Sequence, residues 1–385
     1  MSSSCSGAVR RVVLFPFPYQ GHFNPVLRLA GALHARGRAP DPADYPADYS
    51  FVAVPVTVPA DVVASEDIAR LVVELNACCA APFKERLAEL ISDGGKDDGG
   101  VCCVITDVIW CSAQAAAREL NVAALGFMTS SAASFGSYIV YPALIEKGYF
   151  PAQEERRDDP VDLLPPFRVR DMERIETSSL VDFASVLAHR VDGARQSSGL
   201  IINTFDAIEA TDLSKIREDL SIPVFSIGPL NKFTPPVKGI SLYRLQQDRR
   251  CLDWLDTQAP GTVVYVSFGS LAAMDPHEFV ELAWGLADSK RPFVWVVRPS
   301  LIRSFESGEL PDGFREEIGD RGISEGVPTI SRPFLGDQFG NARFVCDVWR
   351  VGVEVEVETQ VERGKTQAAI EKLMGNNEGK ALGRG

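Results

Sequence analysis

The most constraining feature of this chain is a regular alternation between short apolar runs and longer helical segments. Runs of strand length occupy Arg11–Phe15, Ser50–Val54, Val101–Thr106, Val122–Met128, Leu200–Asn203 and Val224–Ile227. Helical segments separate them, at 24–36, 67–90, 112–120 and 131–146. Neighbouring parallel strands need such a crossover between them, so the alternation predicts βαβ units and a doubly wound parallel sheet.

A second series of the same kind follows a stretch rich in proline, glycine and polar residues, 231–247. It predicts helices at 251–257, 276–287 and 338–345, and strands at 263–268, 293–297, 329–330 and 351–357. A chain of 385 residues is also too long for one ordinary core. We therefore expect a first domain over 1–230, a linker over 231–247 and a second domain over 248–385.

Charge and cysteine usage exclude several classes of partner. The formal net charge of −13 repels phosphate backbones and anionic lipids, so we expect no nucleic-acid or membrane partner. No apolar run approaches the roughly 20 residues that a membrane-spanning helix needs, and the first residues do not resemble a signal peptide. Eight scattered cysteines without metal-ligand spacing indicate reduced thiols and no metal site. These features predict a cytoplasmic protein, which we expect to be a monomer.

Two polar residues lie where strands end, which is where α/β sheets bind ligands. His22 follows the first strand in a predicted loop, 16–23, ahead of a helix that Asn24 would cap. Its imidazole could accept a proton from a substrate hydroxyl, or it could be an ordinary loop residue. Asp107 ends the strand 101–106 and could orient His22, but a helix N-cap is an equally good interpretation.

Two further turns could contact a ligand. Ser267, Gly269 and Ser270 form a small-residue turn after the apolar strand VVYV, where backbone N–H groups could approach a phosphate. Thr129 and Ser130 follow another strand, and a capping role explains them as well. Neither turn carries a dinucleotide-binding or P-loop fingerprint, so each is a weak signal alone.

In combination, these segments resemble the plant UDP-dependent glycosyltransferases. The similarity runs through FPFPYQGHFNPVLRLAGALHARG, VITDVIWCSAQAAARELNVAALGFMTSSAASF, VVYVSFGS, FVWVVRP, LPDGFRE and GVPTISRPFLGDQFGNARFV. The resemblance covers nearly the whole chain and implies two facing Rossmann-like domains, the GT-B arrangement. It also implies inverting transfer of a sugar, here glucose, from a UDP-sugar to a hydroxyl group of a small plant metabolite. The UDP-sugar is a co-substrate, and the resemblance implies no bound cofactor.

The resemblance also implies roles for individual residues. His22 matches the catalytic base and Asp107 the carboxylate that orients it. Thr129 matches a contact to the donor sugar, and Ser270 one near the donor diphosphate. The pair Asp337 and Gln338 matches the end of the donor motif, which binds sugar hydroxyls. An apolar hydroxylated acceptor would contact aromatic residues of the segment 131–146, namely Phe135, Tyr138 and Tyr141.

The chain departs from the family pattern at three places. Residues 320–322 pass directly to Ile323-Ser324-Glu325, so the donor motif lacks everything from its uracil-stacking Trp to its Asn-Ser pair. Arg38 follows Gly37 where the family has its second strand, and the segment ending at Gly385 stops before the family's terminal helices. We therefore expect an incomplete second domain and weakened donor binding.

Two hypotheses follow. The first is a UDP-glycosyltransferase that uses His22 and Asp107, since a binding protein needs neither. The second is a non-catalytic protein that binds a small molecule or an intact homologue, which the missing donor residues favour. A doubly wound enzyme for another nucleotide is disfavoured because no dinucleotide fingerprint follows any strand.

Overall fold

The computed structural model describes residues 11–37, 49–65, 67–93, 100–150, 153–172, 177, 179–233, 250–268, 273–297, 301–302, 311–318, 329–331, 337–348, 352–354 and 361–375. The strands are β1 Arg11–Phe15, β2 Val101–Asp107, β3 Ala123–Met128, β4 Gly199–Ile202, β5 Val224–Ser226, β6 Val264–Val266, β7 Phe293–Trp295, β8 Thr329–Ser331 and β9 Gly352–Glu354. The helices are α1 Gln20–Gly37, α2 Ala60–Ala64, α3 Ile68–Ser92, α4 Cys111–Glu119, α5 Ala132–Glu146, α6 Leu180–Arg195, α7 Asp206–Leu220, α8 Leu230–Phe233, α9 Arg250–Leu255, α10 Pro276–Asp288, α11 Phe314–Ile318, α12 Gln338–Arg343 and α13 Arg363–Gly375.

The chain divides into two compact units. The first contains residues 1–170 and 174–243, and the second contains residues 171–173 and 244–385. Most of the predicted linker 231–247 lies outside the described residues. None of the described helices is long and apolar enough to cross a membrane.

A five-stranded parallel sheet forms the centre of the first unit, in the order β1-β2-β3-β4-β5. The five corresponding sequence predictions are confirmed within two residues at each end. Successive side chains of a strand point to opposite faces of the sheet, and strand β2 contributes residues to the cores on both faces. Val104 contributes to a core with α3 and α4, and Ile105 to a core with α1 and α8. Helices thus cover both faces, which explains why these strands are continuous apolar runs.

The prediction of a strand at Ser50–Val54 was wrong. These residues form no ladder, and Phe51 and Val52 are 65% and 45% exposed. Residues of this type favour strands because their side chains are buried on the pleated surface of a sheet. This segment is not buried on both faces. Only Val54 and Val56 pack against the core. As a result, β1 is at the edge of the sheet among the described strands.

The predicted start of the first helix was also wrong. Helix α1 begins at Gln20, and the backbone N–H groups of His22 and Phe23 donate to the Tyr19 carbonyl at 2.9 and 2.8 Å. Asn24 is therefore inside the helix and does not cap it. Pro25 lies close enough to the N-terminus that its missing N–H removes one hydrogen bond without ending the helix. The side chain of His22 is consequently held on a helical turn rather than on a loop.

The second unit contains two separate pairs of parallel strands, β6-β7 and β8-β9, among its described residues. The predicted helices of this part are confirmed, and each predicted strand overlaps a described strand of three residues. Residues 351 and 355–357 of the last predicted strand lie outside the described residues. Helix α10 begins with a capping box between Asp275 and Glu278. Its buried face forms one core with β7 and α13. An α/β architecture with parallel pairing thus extends into both units.

Candidate active site

The carboxyl ends of β1, β2 and β3 bring three predicted site residues together. Asp107 is the last residue of β2, and Thr129 directly follows β3. His22 lies in the first turn of α1, which follows β1. Because the strands are parallel neighbours, their carboxyl ends meet at one edge of the sheet.

A short hydrogen bond joins His22 to Asp107. The distance between His22 Nδ1 and Asp107 Oδ2 is 2.6 Å, and Asp107 is 1% exposed, whereas the His22 side chain is 30% exposed. A carboxylate only accepts hydrogen bonds, so Nδ1 carries the proton. The lone pair of the neutral ring is then on Nε2, which is the nitrogen that can accept a proton from a ligand. A base and its orienting group therefore occupy the arrangement that acid–base chemistry requires.

The alternative interpretation of Asp107 as a helix cap was wrong. Helix α4 begins at Cys111, and its N-cap residue is Trp110. The second oxygen of Asp107, Oδ1, instead accepts the backbone N–H of Ile109 at 3.0 Å. That contact fixes the plane of the carboxylate while Oδ2 is directed at His22.

Thr129 and aromatic side chains complete the surroundings of His22. The Thr129 hydroxyl lies 3.2 Å from His22 Nδ1, close to the Asp107 contact. The ring of Phe17 meets the imidazole edge-on, with 5.5 Å between centroids. Trp110 Nε1 donates to the Pro16 carbonyl at 3.0 Å. The segment that leads into α1 is thereby attached to the segment that carries Asp107.

The other predicted site residues are not part of this cluster. Phe135, Tyr138 and Tyr141 lie in the core of the first unit with exposures of 0%, 4% and 3%. Tyr141 packs against Phe183 at 5.4 Å between ring centroids, and Arg190 lies over the Tyr138 ring. These aromatic residues fill space between helices, and their contact with an acceptor stays a prediction.

The predicted donor-side residues other than Thr129 belong to the second unit. Asp337 is the N-cap residue of α12 and accepts from Asn341 Nδ2 at 2.9 Å, and Gln338 begins that helix with an exposed side chain. Ser270 and the segment 319–328, which contains the departure from the family pattern, lie outside the described residues. No cluster of three or more metal-ligating side chains occurs in the described part of the chain.

Sequence reasoning missed two polar residues that support the site. Glu209 of α7 is 2% exposed and accepts the N–H groups of Ala132 and Ala133, both at 3.0 Å. It thus holds the start of α5, three residues after Thr129. Asn76 of α3 contacts the segment that follows Asp107. A polar side chain inside the apolar stretch LVVELNACCAA was the available signal for Asn76.

Comparison with solved structures defines the class of fold. The chain superposes on Phytolacca americana UGT2 in complex with UDP-2-fluoro-glucose and pterostilbene with a TM-score of 0.77 at 23% identity, covering 98% of this chain and 92% of that one. A UDP-glucosyltransferase from Polygonum tinctorium that glucosylates indoxyl gives a TM-score of 0.79 at 22% identity, with the same coverage. The fold is therefore that of the GT-B plant glycosyltransferases.

Comparison with characterised sequences gives the family. The chain is 54% identical to the DIMBOA UDP-glucosyltransferase BX9 of Zea mays, over 99% of this chain and 90% of the relative. It is 53% identical to the maize DIMBOA UDP-glucosyltransferase BX8, over 98% and 92%. Identity to UDP-glycosyltransferase 76F2 of Arabidopsis thaliana is 36%, over 96% and 89%. No protein-family model matches. The chain belongs to the plant UDP-glycosyltransferases, enzymes that use a UDP-sugar as co-substrate.

The alignment to BX9 is longer than the chain itself. It extends over 423 positions, whereas this chain has 385 residues, so at least 38 aligned positions of the relative have no counterpart here. The alignment to BX8 extends over 425 positions. Relatives of this family thus carry internal segments that this chain lacks.

Proposed function

We propose that this chain transfers a glucosyl group from UDP-glucose to a hydroxyl group of a small plant metabolite, with inversion at the sugar carbon. The observation that carries the proposal is the 2.6 Å contact between His22 Nδ1 and the buried carboxylate of Asp107. The names of the two maize relatives support a benzoxazinoid acceptor, DIMBOA, and a glucose donor.

In the proposed reaction, His22 is the general base. Its Nε2 takes the proton of the acceptor hydroxyl while the acceptor oxygen attacks C1 of the glucosyl group. The bond between C1 and the phosphate oxygen breaks, and UDP leaves with the electron pair. Asp107 stabilises the imidazolium that results and keeps the proton on Nδ1. General base catalysis of this kind contributes about 10²–10⁴-fold to a rate.

The family resemblance supports a role for Thr129 as a contact to the donor sugar. Its hydroxyl lies 3.2 Å from His22 Nδ1, so it is part of the same polar cluster as the proposed base. Asp337 and Gln338 are the proposed contacts to sugar hydroxyls, and Ser270 the proposed contact near the diphosphate. The described cysteines are free thiols, which supports a cytoplasmic location. We propose that the enzyme acts as a monomer.

Donor affinity is proposed to be weaker than in complete relatives. The segment absent before Ile323 supplies the uracil platform and charged contacts in the family pattern. Each lost charge-assisted hydrogen bond removes roughly 1.5–3 kcal/mol. The loss of several raises the dissociation constant for UDP-glucose by orders of magnitude, since every 1.4 kcal/mol is about tenfold.

The second candidate function is non-catalytic binding of the acceptor or of an intact homologue. The observation that favours it is that at least 38 aligned positions of the maize relative have no counterpart in this chain. In this case the first unit retains its fold while the donor contacts are too few for turnover.

One assay separates the two functions. The purified chain is incubated with radiolabelled UDP-glucose at millimolar concentration and with DIMBOA, and the glucoside is measured together with its anomeric configuration. Glucosyl transfer is expected, with a β-linked product from the α-linked donor, and it should be lost in His22→Ala. His189→Ala is the matched control, because His189 is exposed and contacts only Ser185 among the described hydrogen bonds. Acceptor binding without any product would support the binding function instead.

A further inference from the structure

We infer that Asn76 of helix α3 is a positioning residue that holds the Asp107 carboxylate against His22. This inference rests on the proposed function, because it concerns the geometry of the proposed base. Asn76 touches neither His22 nor Asp107 in any described hydrogen bond. Its side chain instead bonds to residues 109 and 112, on either side of the start of α4.

Both ends of the Asn76 amide are engaged. Nδ2 donates to the Ile109 carbonyl at 3.0 Å and to the Val72 carbonyl of its own helix at 3.1 Å. Oδ1 accepts the Ser112 N–H at 3.1 Å, the Ser112 hydroxyl at 3.0 Å and the Cys111 thiol at 3.2 Å. An amide has two N–H donors and two acceptor lone pairs, so this side chain is saturated and can occupy only one orientation.

The oxygen of Asn76 replaces a missing helix cap. Trp110, the N-cap residue of α4, offers no side-chain cap. An N-cap oxygen normally accepts from the second or third residue of the helix, and Ser112 is the second residue of α4. Asn76 therefore caps α4 from a neighbouring helix. This cap fixes the position of the first turn of α4, where the segment that follows Asp107 ends.

The nitrogen of Asn76 connects to the catalytic pair through Ile109. Asn76 restrains the Ile109 carbonyl, and the Ile109 N–H donates to Asp107 Oδ1 at 3.0 Å. The other oxygen of the same carboxylate is 2.6 Å from His22 Nδ1. If the Ile109 contact is lost, the carboxylate can rotate about its side-chain bonds, and the proton on His22 is no longer held on Nδ1.

Two substitutions distinguish the contribution of the amide oxygen from that of the amide nitrogen. Asn76→Asp keeps an oxygen for the Ser112 cap but replaces both donated hydrogen bonds with an acceptor that repels the Ile109 carbonyl. Asn76→Ala removes the hydrogen bonds of both the oxygen and the nitrogen. The matched control is Ser179→Ala, because Ser179 caps α6 through the Asp182 N–H at 3.1 Å and lies outside the site.

The test reads the proton on His22 without requiring turnover. The chain has four histidines, so ¹⁵N-histidine labelling gives few signals, and His22→Gln identifies the one from His22. In the wild type, the ¹⁵N shifts should indicate a ring that carries a proton on Nδ1. Asn76→Asp and Asn76→Ala should move them toward a mixture of the two tautomers, whereas Ser179→Ala should leave them unchanged. The kcat of Asn76→Asp should fall about tenfold, a part of what general base catalysis supplies, with the KM for acceptor within twofold.

Each outcome decides the question. Wild-type ¹⁵N shifts in a folded Asn76→Asp variant would overturn the inference, because the carboxylate would then be held without Asn76. Failure of both Asn76 variants to fold would also overturn it, since Asn76 would then be a residue of the core. Altered shifts in a chain that transfers no glucose would support the positioning role while the proposed function fails.

Discussion

The two units of this molecule differ in the continuity of their sheets. The first has five hydrogen-bonded parallel strands, and the second has two separate pairs in its described residues. The proposed base and its orienting carboxylate lie at the end of the continuous sheet. Three of the proposed donor contacts, Ser270, Asp337 and Gln338, belong to the second unit, whereas Thr129 lies beside the proposed base in the first. We propose that deprotonation of an acceptor and most of the donor binding depend on separate parts of the chain, so that one can be damaged while the other is kept.

A continuous sheet also fixes side chains more rigidly than a two-stranded one. Isolated pairs of strands are marginal in water and depend on packing against helices. In the first unit, β2 is hydrogen-bonded on both sides, and Asp107 at its end is almost fully buried. In the second unit, β6 and β7 depend on the core that α10, α11 and α13 provide. Substitutions in each unit can test this contrast.

The largest expected effect is on catalysis and is confined to the first unit. Asp107→Asn should lower kcat by about 10²–10⁴-fold, because an amide holds the wrong tautomer of His22 and does not stabilise its imidazolium. Binding of UDP, measured by calorimetry, should stay unchanged. Asp93→Asn, at an exposed carboxylate beyond the end of α3, is the control and should have full activity. A loss of UDP affinity in Asp107→Asn would contradict the separation of roles.

The next effect concerns the stability of the second unit. Arg343 and Asp171 form a buried bidentate ion pair, with Nε–Oδ2 and Nη2–Oδ1 distances of 2.7 and 3.0 Å. Arg343→Ala should destabilise this unit by about 3–5 kcal/mol, because it removes the guanidinium that pairs with the buried Asp171 carboxylate. Hydrogen exchange measured by mass spectrometry should show faster exchange in α12. Equal acceleration in β2 and β3 would mean that the units unfold as one.

A smaller loss of stability is expected in the first unit from Glu209. Its carboxylate accepts two N–H groups at the start of α5, where the helix dipole also favours a negative charge. Glu209→Ala should lower the free energy of unfolding by about 2–3 kcal/mol, which urea denaturation followed at Trp110 would measure. Glu209→Gln should cost less, since one carbonyl oxygen remains to accept. Equal effects of the two substitutions would exclude a role for the carboxylate.

The smallest effect is a dependence of stability on pH within the second unit. Arg363 donates to Asp288 Oδ1 at 2.8 Å, and this hydrogen bond lowers the pKa of Asp288 below its ordinary value. A lowered folded-state pKa contributes stability above the unfolded pKa of about 3.9, and the contribution disappears as the pH falls through the folded pKa. Solvent screening limits it to under about 1 kcal/mol. Thermal melts of Asp288→Asn between pH 3 and 6 should lack this component, whereas an unchanged profile would contradict it.

Much of the first unit could be predicted because the burial of each strand is visible in that strand's own residues. Strands covered on both faces must be apolar throughout, and β2, β3 and β4 show that in the sequence. The pairing of His22 with Asp107 followed from their positions after neighbouring strands. The expected strand at 50–54 was wrong because its residues are not buried on both faces. Residues that favour strands do not form a ladder without that burial.

The support of the site could not be predicted in the same way. Asn76 is 31 residues from Asp107 in sequence, and its contacts depend on how α3 packs beside α4. Glu209 is further still from the start of α5. No sequence spacing predicts either contact, since each one arises from tertiary packing. The aromatic residues of α5 lie in the core of the first unit, and their proposed contact with an acceptor stays a prediction.

The position of β1 at the edge of the described sheet also has a colloidal consequence. Among the described strands β1 pairs only with β2, and an edge strand of this kind can pair with a strand of a second molecule. A net charge of −13 makes two copies repel each other in dilute buffer. At about 1 M salt the screening length falls to about 3 Å, and that repulsion is lost at contact distances. The ionic strength of the buffer, rather than the concentration of protein alone, therefore sets the point at which solutions of this chain begin to self-associate.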